Sequence, residues 1–247
     1  MEAVKLRREL FAHNPDQYRA DLATSLSNLG IHLECTKQWE RACNVDTEAV
    51  KLRRELFNRD PDMYRAVLAT SLSYLGYHLG QLARWEEACN ADTEAAILRR
   101  ELFNRDPNTY QVDLAQSLTI LGYHLGRLEQ WERARDASME AAEFYRNAFT
   151  RSLDQHVGFF SSLFTLASYL RKLEQWSAAQ SADIEAVSMY DITGQVIRDS
   201  QLVSFKSAGA YGTAYPAQWI NPQARLWDPE PRTGSVCMST QTLSPIR

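Results

Sequence analysis

An all-α solenoid, a stack of antiparallel helix pairs, is the fold class this sequence predicts, on three observations. Trp39, Trp85, Trp131 and Trp176 recur at spacings of 46, 46 and 45 residues. The segment Glu2–Phe11 returns unchanged at Glu48–Phe57, with two differences at Glu94–Phe103, and loosely at Glu140–Phe149. Between these landmarks leucines recur at helical spacing, as in Leu68, Leu72, Leu75 and Leu79. Self-similarity at one period of this size denotes stacked copies of one supersecondary unit, each burying its apolar face on its neighbours.

The first element is a lone helix over 2–12, equivalent in sequence to the end of a repeat. A helix over 15–34 follows, opened by Asn14-Pro15-Asp16: a side-chain cap, a proline at the first helical position and an acid in the first turn. Asp60-Pro61-Asp62 and Asp106-Pro107-Asn108 open equivalent helices over 61–81 and 107–128, and a fourth spans 154–173. Their apolar stripes are Leu22, Leu26, Leu29, Leu33; then the quartet from Leu68; then Leu114, Leu118, Leu121, Leu125; then Phe159, Leu163, Leu166, Leu170. After a short polar turn each unit adds a second helix beginning near its tryptophan, over 38–58, 84–104, 130–150 and 175–192. Paired alanines seven residues apart (Ala42 and Ala49, Ala88 and Ala95, Ala134 and Ala141, Ala179 and Ala186) keep one face of it small. Gly30, Gly76 and Gly122 inside the first helices cost roughly 1 kcal/mol each relative to alanine, which implies close helix contact there.

Leu121-Gly122, Leu125, Trp131, Ala134 and Ala141 carry a resemblance to the tetratricopeptide repeat family, and the other copies match nearly as well, with Ala167 in place of glycine in the fourth. The unit is about 12 residues longer than the 34-residue repeat of that family. It resembles the long-repeat type found in kinesin-light-chain-like and fungal arrays, and covers 1–192. The resemblance implies a right-handed superhelix with first helices lining a concave wall. It further implies inward-facing residues in each copy: Thr24, Ser27, Ile31, Glu34 and Cys35; Thr70, Ser73, Tyr77, Gly80 and Gln81; Gln116, Thr119, Tyr123, Gly126 and Arg127; Ser161, Phe164, Ser168, Arg171 and Lys172. The expected partner contacts are Tyr77, Gln81, Gln116, Thr119, Tyr123, Arg127, Phe164, Ser168, Arg171 and Lys172. The aromatics supply rigid contact area, and charge shifts from Glu34 to Arg127, Arg171 and Lys172. The Lys and Asn with which chaperone-binding members grip a terminal carboxylate are replaced here by Ser, Thr, Tyr and Ile.

Residues 193–247 hold five of the eight prolines and four of the ten glycines. That composition predicts an irregular tail, although Trp219 and Trp227 leave open a partial cover over the last helix or a short docking motif. The chain starts in the second helix of a repeat without a polar terminal cap, so a piece of a longer array, or an inaccurate gene boundary, is expected.

A net charge of −4, with both signs interspersed, provides neither a nucleic-acid field nor a polybasic membrane anchor. No signal peptide or membrane-length apolar run is present, and the cytoplasm is the expected compartment. Cys43 and Cys89, one period apart, are expected to be buried thiols and not a redox pair. His32, His78 and His124 also recur at one period, on helices roughly 10 Å apart, too far to share a metal bonded at about 2 Å. They are expected in inter-repeat packing. The pairs Arg7-Arg8, Arg53-Arg54 and Arg99-Arg100 are expected in interhelix salt bridges, and Lys5–Glu9 and Lys51–Glu55 in pairs along one helix. No phosphate loop, zinc-protease or nucleophile-elbow motif occurs, so neither catalysis nor a cofactor is expected. The leading expectation is a non-catalytic scaffold that binds a protein or peptide on its concave face. The alternative is a structural, regulatory or sensor segment of a larger signalling protein, or a self-associating array.

Overall fold

The computed structural model describes residues 2–149 and 156–199. All secondary structure among them is helical: α1 (Glu2–His13), α2 (Pro15–Cys35), α3 (Trp39–Arg59), α4 (Pro61–Gln81), α5 (Trp85–Arg105), α6 (Pro107–Arg127), α7 (Trp131–Phe149), α8 (His156–Lys172) and α9 (Trp176–Asp199). Each described helix packs on the next in chain order, so the core is a series of small clusters repeated along the stack. The expected first helices are α2, α4, α6 and α8, and the expected second helices are α3, α5, α7 and α9. No described helix is long and apolar enough to cross a membrane.

The two connections in each repeat differ for local reasons. Asp60 alone separates α3 from α4; it ends the first and caps the second, its carboxylate accepting the Met63 N–H at 3.1 Å. Asp106 and Asn14 do the same work for Thr109 and Gln17. The turn inside each repeat closes through a residue in the left-handed region: Lys37, Ala83, Glu129 and Glu174, with φ between 55° and 58°. At the first, Lys37 N–H donates to Glu34 O at 2.8 Å and Gln38 N–H to Leu33 O at 2.9 Å, a six-to-one closure of the helix end. None of the four turns uses the glycine that normally marks this conformation, so the sequence gives no signal of it.

The alanine pairs are buried as expected, from 0% exposure at Ala42, Ala49, Ala88 and Ala95 to 4% at Ala186. The glycines do something more specific than admit a helix backbone. A Cβ on Gly30 or Gly76 would stand 3.2 or 3.0 Å from Cγ of Asp46 or Asp92, and one on Gly122 would stand 2.7 Å from Ser138 Oγ. The clearance holds a buried polar side chain from the second helix of the same repeat.

α9 runs through the expected boundary at 192 to Asp199. Gly194 costs only about 1 kcal/mol inside a helix, and no proline interrupts the chain before Pro216. Of the irregular tail expected over 193–247, residues 200–247, with the tryptophans and the expected covering role, lie outside the described residues.

Candidate interaction surface

The joints between repeats position the first-helix surface. Asp46 on α3 is buried against Gly30 of α2, and His78 Nδ1 of α4 donates to its Oδ2 at 2.6 Å. One carboxylate thereby ties two helices of its own repeat to the first helix of the next. Burial disfavours the charged imidazole, but hydrogen bonding to Asp46 and the nearness of Glu34 Oε2, 3.5 Å from Nε2, outweigh it and raise the His78 pKa to about 9. Burial pushes the Asp46 carboxyl up, against the pull of that histidine. At the second joint His124 Nδ1 lies 2.6 Å from Asp92 Oδ2, and Gly80 gives the ring the space that Glu34 borders at the first. At the third joint Ser138 and Tyr169 take these two places, and the ring of Tyr169 lies against Gly126. His78 and His124 are therefore inter-repeat groups, each within its own joint. His32 is exposed, because α1 matches only Glu48–Arg59 of α3 and places no aspartate beside it.

Trp39, Trp85 and Trp131 each cover such a joint. Trp39 meets Tyr77 edge-on at 6.3 Å and His78 at 6.0 Å; Trp85 meets Tyr123 at 6.4 Å and His124 at 5.9 Å; Trp131 meets Tyr169 at 6.2 Å. Two cations lie on these rings, Arg127 4.9 Å from the Trp85 centroid and Lys172 5.6 Å from that of Trp131. The joints thus fix aromatic and cationic groups on the first helices at one-repeat intervals.

Of the ten expected contact residues, Tyr123 (42% exposed), Gln81, Arg127, Arg171 and Lys172 are exposed, whereas Tyr77, Gln116, Phe164 and Ser168 are partly buried. Arg171 is ion-paired with Asp183 of α9. Thr119 is buried at 2%, its hydroxyl donating to Ala115 O at 2.9 Å. It folds back on its own helix, as Thr and Ser do when a turn carbonyl is in reach, and offers a partner nothing. Ser27, Gly80 and Gly126 are buried as well.

The arginine pairs divide their labour, which spacing alone does not reveal. The first of each pair turns inward: Arg7, Arg53 and Arg99 donate to Ser25, Ser71 and Ser117 of the adjoining first helix. The second turns outward to a glutamate 40 residues on, in Arg8–Glu48, Arg54–Glu94 and Arg100–Glu140, and Arg146–Glu185 continues the line one residue shorter. Glu55 is ion-paired with Arg19 of α2, 2.9 Å away, in place of the expected Lys51. Burial raises the thiol pKa of both Cys43 and Cys89 to about 11, which leaves them protonated and unreactive at neutral pH. No cluster of metal-ligating side chains occurs among the described residues.

Residues 22–62, from the middle of α2 to the start of α4, match the sequence profile of the tetratricopeptide repeat. That segment is a tetratricopeptide repeat. Solved structures similar to this array include apo RapI, at 16% identity over 77% of this chain and 48% of that one, with a TM-score of 0.62. A Podosopora anserina kinesin-light-chain-type protein with nearly identical TPR-like repeats matches at 14% identity over 78% of this chain and 88% of that one, with a TM-score of 0.55. Aspartyl phosphate phosphatase F from Bacillus subtilis matches at 15% identity over 74% of this chain and 44% of that one, with a TM-score of 0.56. At these identities the likeness is one of fold. The chain spans about half the length of RapI. No curated protein sequence matches it.

Proposed function

We propose that the tetratricopeptide array is a non-catalytic scaffold whose first-helix wall binds an extended or helical peptide segment of a partner protein, with an acidic stretch of that segment lying towards α6 and α8. One observation carries the reading: Tyr123 and Arg127 stand exposed on one helix, Arg127 resting on Trp85, and Lys172 repeats the cation-on-tryptophan arrangement one unit further on. Aromatics and arginines held rigid by packing lose little entropy on binding, and such groups dominate interface energetics. The proposed contacts are Tyr77, Gln81, Gln116, Tyr123, Arg127, Phe164, Ser168, Arg171 and Lys172.

The test is calorimetry against a partner isolated by pull-down on the full chain. Tyr123→Ala is expected to weaken binding by about 1–2 kcal/mol, and Arg127→Glu by a comparable amount that shrinks as salt is raised. Unchanged affinity in both variants would refute the wall as the binding surface.

A further inference from the structure

The two ends of the described array carry opposite halves of the joint that recurs inside it. At one end, Trp176, Asp183 and Val187 of α9 stand where Trp39, Asp46 and Val50 stand on α3 and where Trp85, Asp92 and Ala96 stand on α5. Val50 and Ala96 are covered by the next first helix, at 2% and 5% exposure, whereas Val187 is 60% exposed and Trp176 63%. At the other end, His32 on α2 holds the place of His78 and His124 but is exposed, with Ile31 beside it in the place of Tyr77 and Tyr123. The slot on α2 that an aspartate-bearing helix would fill is open along its second half. Its first half is covered by α1, which has one fully buried residue, Val4, and leaves Leu6 and Leu10 exposed.

We infer that the occupant of the α9 face is a second copy of this chain, joined head to tail, with α9 of one copy seated on α2 of the next and His32 hydrogen-bonded to Asp183. The same two residue types, on the same two helix types, meet at 2.6 Å in both internal joints that contain them. Asp183 is held meanwhile by Arg171, which stands at the position of Glu34 in the first joint, and its carboxylate would accept from both Arg171 and His32. α1 yields its place, because residues 185–196 of α9 occupy the positions that Glu2–His13 hold. A contact of this type pairs two different patches, so a head-to-tail dimer leaves one of each unpaired and assembly continues past the dimer as concentration rises.

Sedimentation equilibrium of the full chain over a wide concentration range, with charge-exchanged variants, tests the proposal. The wild type is expected to rise in mean mass above its 28.3 kDa towards multiples of it as concentration increases. His32→Asp and Asp183→His are each expected to weaken association about tenfold or more, and the double variant, which restores the pair between copies with its roles reversed, to regain most of the loss. All four proteins are first compared by circular dichroism, since both residues are surface groups and the fold should be unaffected. A constant mass of one chain at every concentration would overturn the proposal. So would association indifferent to either single variant, or a double variant no better than the singles.

Discussion

Asp46 lies almost fully buried between two helices of its own repeat and one of the next, and its partner His78 is fully buried. The pair makes a stability prediction whose sign is fixed. The folded-state pKa of His78, about 9, lies above its ordinary value of 6.5. The stabilisation it adds is therefore complete below pH 6.5 and is lost as pH rises through 9. A shift of that size corresponds to at most about 3 kcal/mol. Thermal unfolding followed between pH 6 and 9.5 is expected to show falling stability in the wild type and a much flatter profile in His78→Gln. Equal slopes would mean that the imidazole is not charged in the fold. Cysteine reactivity follows from burial in the same way. Among the described residues, exposed Cys35 is expected to react quickly with a thiol reagent at pH 7.5, with Cys43 and Cys89 reacting only on unfolding.

In single elements, local preference and tertiary packing disagree in two places, and each gives a measurable sign. By helix propensity, Gly76→Ala should add roughly 1 kcal/mol to α4. A Cβ there would overlap the Asp92 carboxylate, which α5 holds in place. The substitution is therefore expected to cost about 2–4 kcal/mol, read as a lowered denaturant midpoint. Conversely, Glu129 occupies the left-handed region with φ 58° and exposes its side chain. Glu129→Gly is expected to gain about 0.5–1 kcal/mol, less strain in the turn outweighing the greater freedom of the unfolded chain. The helix starts were legible because Asp60 and Asp106, each followed by proline, act within one turn of chain. The turns at Lys37, Ala83, Glu129 and Glu174 were not, since no glycine marks them. The end of α9 at Asp199 was not legible either, because loss of the repeat pattern after Ile192 removes the packing signal without ending the helix.

For the array as a whole, stability is a sum over neighbouring units. Among the described residues α1 has a helix packed along it on the α2 side and α9 on the α8 side, whereas α4, α5 and α6 are flanked by a helix on both sides. Amide exchange is therefore expected to be slowest in α4–α6 and to quicken towards both ends of the described array. Rates uniform from α1 to α9 would instead mean all-or-none unfolding. The outward arginine–glutamate line joins successive second helices, but its members are about one-third to one-half exposed, as in Arg54–Glu94 at 51% and 38%. Arg54→Ala is expected to change stability by less than about 1 kcal/mol. The inward Arg53, buried and bonded to Ser71, should cost more than its neighbour when truncated.

The sequence by itself determined the helix count of the unit, its period, the buried alanine and leucine faces and the family of the repeat. All of these follow from spacing along one helix or from identity between copies. Only the tertiary structure decided which member of each arginine pair turns inward, that Thr119 is buried, and that the helix glycines make room for Asp46, Asp92 and Ser138. Those outcomes depend on the angle at which a neighbouring helix crosses and on the side chain it brings to the contact, and neither is encoded within a single period.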